Sequence, residues 1–373
     1  MEKKKIAWIT PLCFVDVDLP IIKEMQSNND IHWIVVLNEK GNDTKDYILN
    51  SLGDNKKVSL SFMMMEHRQR SLKQLLFIWK FVKLAKSSHP DIIYISEYAM
   101  PYGIVVYRLL LPLKKTVAAC HNVTTPKGAK NESFARLYTW LWLSTFKNIQ
   151  TFSKSQKDIL LEKFKGKNVL LAHLALKDYG EPTINNAQEN GEIRFLFFGN
   201  IVWYKRLDLL IEASNILYEK GVRNFRIRIA GNCQDWSEIY APLMKHPELF
   251  ELQIERVPNS EVANLFVNSQ YFVMPYQDIA QSGAIMVAFR YNLPVLCSDI
   301  IQFEEFVQDG FTGYTFKSKD VKSLAEKMEW IIKNHSSQYN IIRANEQMFV
   351  DENLALPTIV KKYQDYFNTI CNK

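Results

Sequence analysis

Cysteine is scarce in this chain. The five present, at positions 13, 120, 233, 297 and 371, are odd in number and far apart, with no C-x-x-C and no Cys/His cluster. A disulfide framework and a zinc site are therefore not expected, and a reducing, cytoplasmic compartment is. Long apolar runs are lacking too: none reaches the length that spans a bilayer. The stretch Ile6 to Ile9 that follows the N-terminal lysines is too short for a signal-peptide core, and Asp16 and Asp18 come soon after it. Glycine is missing where a dinucleotide-binding fold needs it. G-x-G-x-x-G belongs directly after the first strand, but Thr10-Pro-Leu-Cys-Phe-Val-Asp16 contains no glycine. A nicotinamide or flavin cofactor is thereby disfavoured.

With 373 residues and 47% hydrophobic content, the chain has the size of two domains and the composition of a folded globular protein. Its charge is uneven. Residues 1–182 hold 27 lysines and arginines against 17 aspartates and glutamates, a net of +10, while residues 183–373 hold 19 against 23, a net of −4. A basic first half suits an anionic partner. Nucleic acid and a phospholipid surface both fit, as does a solvated lysine-rich surface with no partner. The basic residues are dispersed and no recognition motif accompanies them, which disfavours nucleic acid.

Strand and helix patterns alternate along both halves. In the first half, Lys5 to Pro11, Ile31 to Leu37, Pro90 to Ile95, Lys115 to Cys120, Ile149 to Phe152 and Val169 to Leu171 read as strands, several apolar on both faces. Residues 16–26 and 105–111 read as helical. Ser71 to Ser87 has apolar residues at helical spacing with Lys73, Lys80, Lys83 and Lys86 among them. Such a helix either packs on a core with its lysines solvated or lies on a membrane. Glu132 to Phe146 is dense in aromatics, again suiting a core or a membrane interface. His121 follows the 115–120 strand, where it either serves a site or caps a turn. The polar, non-periodic stretch 178–191 marks the domain boundary.

In the second half, the strand Ile193 to Phe198 ends at Gly199-Asn200, and a helix covers Leu207 to Glu219. Lys205 stands just before that helix, whose free N–H groups and dipole favour an anion, so this is a candidate diphosphate site. Phe225 to Ala230 alternates as a strand and ends at Gly231, and a helix opens at Val257. Tyr271 to Pro275, the loop through Ser282-Gly283, the apolar run Ala284 to Phe289 and Pro294 to Cys297 form a βαβ unit. Ligands of parallel sheets sit at the carboxyl ends of the strands, which singles out the 276–283 loop. Helices at 324–334 and 356–366 close the chain. The alternation predicts two parallel, doubly wound α/β domains with ligands between them.

These residues resemble the retaining glycosyltransferases of family 4. Phe197-Phe-Gly-Asn-Ile-Val-Trp-Tyr-Lys205-Arg-Leu-Asp-Leu-Leu-Ile-Glu-Ala213 is similar to "F-G-R-L-x-x-x-K-G-x-x-x-L-I-x-A". Ile229-Ala-Gly231, Val257 to Glu261, Phe272 to Tyr276, Pro294 to Asp299 and Glu305 to Gly313 resemble the family's later motifs in order. The first half matches loosely. The family's E-x7-E glutamates would fall on Ile279 and Val287, where a loop with Asp278, Gln281, Ser282 and Gly283 stands instead, a Q-S-G variant. Asn200 replaces the usual Arg, and Arg206 the usual Gly.

The resemblance implies a GT-B architecture: two Rossmann-like domains facing across a cleft, over residues 1–182 (acceptor) and 183–355 (donor). A C-terminal helix, 356–373, would pack back on the first domain. It also implies transfer of a sugar, with retention and without a metal or cofactor, from a nucleotide-sugar to a glycan or lipid-linked acceptor in bacterial surface polysaccharide synthesis. The protein would work in the cytoplasm, peripherally at the inner face of an anionic membrane. By the same resemblance His121 and Lys205 are catalytic. Gly199, Asn200, Lys205, Arg206, Gly231, Gln281, Ser282, Gly283 and Glu305 would hold the donor. A catalytically degenerate binding partner and a nucleotide-sugar epimerase are the competing readings.

Overall fold

The computed structural model describes residues 3–38, 42–53, 57–65, 71–96, 103–124, 132–183 and 191–372. The boundary expected at 178–191 is thus partly outside the described residues. The chain divides into two compact units, one made of Met1–Ala175 with Ala355–Lys373 and the other of Leu176–Leu354.

Among the described residues, the first unit holds a seven-stranded parallel sheet in the order β3-β2-β1-β4-β5-β6-β7. Its strands are β1 (Lys4–Pro11), β2 (Asn29–Leu37), β3 (Val58–Met64), β4 (Ile92–Ile95), β5 (Thr116–Ala119), β6 (Asn148–Thr151) and β7 (Asn168–Leu171). Helices α1 (Val15–Met25), α2 (Asn42–Leu52), α3 (Gln74–Ser87), α4 (Gly103–Leu110), α5 (Glu132–Thr145) and α6 (Lys154–Lys163) connect them. The strands read as continuous apolar runs because both faces are covered. Ala7, Ile9, Ile93 and Ile95 point to a core shared with Phe81, Tyr107 and Trp142 of α3, α4 and α5. Trp8 points the other way, with its ring centroid 4.0 Å from that of Tyr94.

The second sheet, also parallel, has six strands among the described residues: β8 (Ile193–Phe198), β9 (Phe225–Ala230), β10 (Phe250–Gln253), β11 (Tyr271–Met274), β12 (Val295–Ser298) and β13 (Gly313–Phe316). Their order is β10-β9-β8-β11-β12-β13. Its helices are α7 (Leu207–Glu219), α8 (Asn259–Val267), α9 (Gly283–Arg290) and α10 (Val321–Asn353). The predicted 324–334 helix is therefore one part of a 33-residue element. No glycine or proline interrupts it, and Asp320 caps its start by accepting from the Ser323 N–H at 3.0 Å. Both units are doubly wound parallel α/β domains, in the manner expected.

The last helix, α11 (Leu356–Cys371), belongs to the first unit and packs beside α1. Its Tyr363 and Phe367 rings lie 5.8 and 6.5 Å from Trp8. Tyr94 donates to Gln150, whose amide donates in turn to Tyr363, each at 2.5 Å. The buried hydroxyl of α11 is thereby satisfied inside the sheet's core.

Asp18, on α1, is buried beneath the carboxyl ends of β1 and β4. It accepts from Thr10 Oγ1 at 2.6 Å and from the Ser96 hydroxyl. Burial pushes its carboxyl up to about 6, against an ordinary 3.8. The folded state then holds a proton that the unfolded chain releases. Its stabilising contribution is complete below pH ~4 and is lost as the pH rises through about 6. The free energy of unfolding of the Asp18→Asn variant, minus that of the wild type, should therefore increase by about 3 kcal/mol between pH 4 and 7 in urea titrations. A difference independent of pH would refute this.

Candidate functional site

Every predicted donor residue lies in a loop, or at the helix start, after a strand of the second sheet. Gly199, Asn200, Lys205 and Arg206 follow β8, Gly231 follows β9, Gln281, Ser282 and Gly283 follow β11, and Glu305 follows β12. Strands β9, β8, β11 and β12 are neighbours, so the fold brings all nine residues to one carboxyl edge.

Two glycines close the β8 and β9 ends. The Gly199 N–H donates to the Ala230 carbonyl at 2.9 Å, and the Gly231 N–H to the Gln253 carbonyl at 2.9 Å. Gly199 has φ +100 and Gly231 φ +155. A Cβ on Gly231 would fall 2.1 Å from the Gly199 oxygen, so the backbones meet where no side chain fits.

Lys205 turns back over the same spot. Its Nζ lies 3.1 Å from where a Gly199 Cβ would be, and 5.9 and 5.3 Å from the Phe197 and Tyr276 ring centroids. Among the described residues no carboxylate lies within ion-pair distance of it. Burial among rings lowers its pKa to about 8, because the charged form loses water and gains only weak ring attraction. The site thus contains a partly dehydrated ammonium group poised for an anion.

Arg206 is differently disposed. Its backbone is left-handed, at φ 50 and ψ 47, which explains why a glycine suits this position in the resembling family. Its guanidinium is held by both oxygens of Asp208, at 2.7 to 3.0 Å, and by Gln277 Oε1 at 3.2 Å. The Asp208 hydrogen bonds raise its pKa. Arg206 therefore braces the loops: its partner Gln277 also donates its N–H to the Tyr204 carbonyl at 2.9 Å, joining the β8 and β11 loops. Asp208, in the first turn of α7, was a readable signal for this pairing.

On the β11 side, Ser282 is buried at the N-cap of α9, and its hydroxyl makes no capping bond to that helix. Gln281 and Gly283 flank it, both half-buried. A residue outside the predicted set approaches here. An added Gly283 Cβ would be 3.3 Å from Lys177 Cε and 3.5 Å from its Nζ, so the lysine crosses the first turn of α9. The Lys177 N–H donates to the Met286 carbonyl at 3.3 Å, and Asp178 pairs with Arg290 at 2.9 Å, which fixes the approach. Nothing in the sequence pattern around Lys177 announces this, because the contact is tertiary. Asn200 is exposed, and Glu305 is half-buried in the turn after β12 between Phe303 and Phe306, both buried.

His121 belongs to the first unit, at the end of β5. It is sandwiched between Phe14, 3.8 Å away and 1° from parallel, and Phe152, 4.2 Å away and tilted by 15°. Burial lowers its pKa to about 3, so the ring is neutral at physiological pH. Phe14 comes from the glycine-free loop after β1. Among the described residues, no cluster of His, Cys, Asp and Glu could hold a metal ion.

Residues 182–348 match the family model for glycosyl transferases group 1. The capsular polysaccharide biosynthesis glycosyltransferase CapM of Staphylococcus aureus is 25% identical over 177 residues, which are 46% of this chain and 45% of that protein. The aligned region thus spans less than half the length of this curated relative. A glycosyltransferase structure from Rickettsia africae superposes with a TM-score of 0.75 at 16% identity, covering 99% of both chains. Anabaena HepE, solved with UDP and glucose, gives 0.72 at 14% identity over 98% of this chain and 100% of that one. By sequence, residues 182–348 are similar to glycosyl transferases group 1, and the chain has the GT-B fold of these structural neighbours.

Proposed function

We propose that this protein transfers a sugar from a nucleotide-sugar to a glycan or lipid-linked saccharide, with retention at the anomeric carbon and without a metal ion. The setting would be the assembly of a bacterial surface polysaccharide at the cytoplasmic face of the membrane. One observation carries the reading: the half-buried ammonium of Lys205 over the Gly199 strand end, with no carboxylate partner among the described residues, inside the stretch that matches group 1. In the transfer, the bond from the anomeric carbon to the diphosphate oxygen breaks and its electron pair goes to the diphosphate. The acceptor hydroxyl forms the new bond and passes its proton to the departing diphosphate oxygen. Charge grows on the leaving group, where Lys205 and the N-terminus of α9 would stabilise it. Lys177 would add a second cation there. Neutral His121 would hydrogen-bond the transferred sugar as donor or acceptor. The CapM relative, named for capsular polysaccharide biosynthesis, supports the glycan setting, and the UDP in the HepE structure supports a nucleotide donor.

Calorimetric titration with UDP, ADP and GDP tests the reading. One of them should bind, and Lys177→Gln should weaken that binding roughly tenfold. If none binds, the proposal fails. Binding without turnover on any donor and acceptor favours the degenerate partner, and conversion of a nucleotide-sugar with no acceptor present favours an epimerase.

A further inference from the structure

Helices α3, α4 and α5 lie side by side on one face of the first sheet, all packed into its core through their inner sides. Lys86 Nζ donates to the Leu110 carbonyl at 3.0 Å, and Arg108 Nε to Thr145 Oγ1 at 2.9 Å, which joins the three. Their outer sides are strongly apolar. On α3 and the turn before it, Leu72, Leu76 and Trp79 are 67%, 66% and 44% exposed. On α4, Val105 and Leu109 are 59% and 77% exposed. On α5, Leu137 and Trp140 are 55% exposed each. Within each helix the spacing is three or four residues, so each stripe is continuous, and the neighbouring stripes make one patch.

The charge around the patch is mostly positive. The three helices contain Lys80, Lys83, Lys86, Arg108 and Arg136, and Glu132 is their sole acid. Lys83 Nζ lies 5.1 Å from the Trp79 ring centroid, an aromatic and a cation side by side at the edge of the patch. A second copy of this chain fits poorly here: Arg136 is paired with Glu132, but a two-fold interface would set Lys80, Lys83, Lys86 and Arg108 against themselves. An anionic bilayer fits, since tryptophan and leucine enter the headgroup layer while lysines reach its phosphates. Among the described residues no helix is long and apolar enough to cross a membrane, so attachment through this face would be peripheral.

We propose that the α3–α4–α5 face docks on an anionic phospholipid surface. This deepens the reading of a lipid-linked acceptor and rests on it for its purpose. Vesicle partition needs neither donor nor turnover, however, so failure here and failure of glycosyl transfer are separate results. The full chain is sedimented with phosphatidylcholine vesicles that contain or lack phosphatidylglycerol. Partition should be about tenfold stronger with the anionic lipid and should fall as salt shortens the screening length. Leu76→Gln, Leu109→Gln and Trp140→Gln together should cut it at least tenfold, with circular dichroism unchanged. Lys80→Gln with Lys83→Gln should erase most of the preference for anionic lipid, a result that does not depend on the triple variant folding. No partition, equal partition to both vesicles, or a wild-type dimer that the apolar variant converts to monomer would each overturn the proposal.

Discussion

Replacing Lys205 with methionine should lower kcat by about two to three orders of magnitude, the usual loss when one preorganised donor to a developing anion is removed. The same change should raise the melting temperature of the ligand-free protein by a few degrees. The two effects share a cause. The ammonium sits against Gly199 and two aromatic rings, and burial holds its pKa near 8, well below the lysine norm. A methionine of similar length keeps the packing and removes the dehydrated charge. The pH dependence gives a further check. The folded pKa is depressed, so the free protein loses this proton as pH rises through about 8, whereas a bound diphosphate retains it. Nucleoside diphosphate affinity should therefore fall above pH 8, by up to about tenfold per pH unit, and Lys205→Met should be flat over that range. Unchanged turnover in the variant, or the same pH slope in both proteins, would remove Lys205 from the chemistry.

Gly231→Ala is the change with the largest expected effect on stability. The new Cβ would lie 2.1 Å from the Gly199 oxygen and 2.7 Å from its carbonyl carbon, and neither atom can swing aside. With φ at +155 the residue is also in a conformation that side chains avoid. Clash and strain together should destabilise the second unit by more than ~4 kcal/mol, leaving it unfolded or insoluble. Gly199→Ala is the control. Its Cβ would meet only the flexible tip of Lys205, at 3.1 Å, so the cost is that of φ +100, about 1–3 kcal/mol. That variant should fold and bind nucleoside diphosphate weakly, because the methyl group displaces the ammonium. If Gly231→Ala melts with the wild type, the backbone closure of β8 on β9 is not what holds this edge together.

The doubly wound pattern was legible because fully buried strands alternate with amphipathic helices, and those signals are local. Phe225–Ala230 was readable to the residue, since it alternates cleanly and ends in glycine. Strands β3, β10 and β13 were not, because Val58–Met64 and Phe250–Gln253 lie at sheet edges and bury little, while Gly313–Phe316 is four residues with no repeat to read. The site divides likewise. Lys205 was visible as a cation before a helix. Asp208, which holds the Arg206 guanidinium, stands two residues away, close enough in sequence for a local pairing. Lys177 reaches Gly283 across more than a hundred residues of sequence, a distance over which no periodicity operates.

The assignment of Ala355–Lys373 to the first unit has a consequence for synthesis. Units fold as they emerge, ordinarily from the N-terminus onward. Here the first unit lacks α11 until residues 355–373 have left the ribosome, and until then Trp8 and Gln150 lack the Tyr363 that covers and bonds them. Leu176–Leu354 is continuous and has no such dependence. The Leu176–Leu354 unit should reach its native state first, while its N-terminal neighbour still waits for α11.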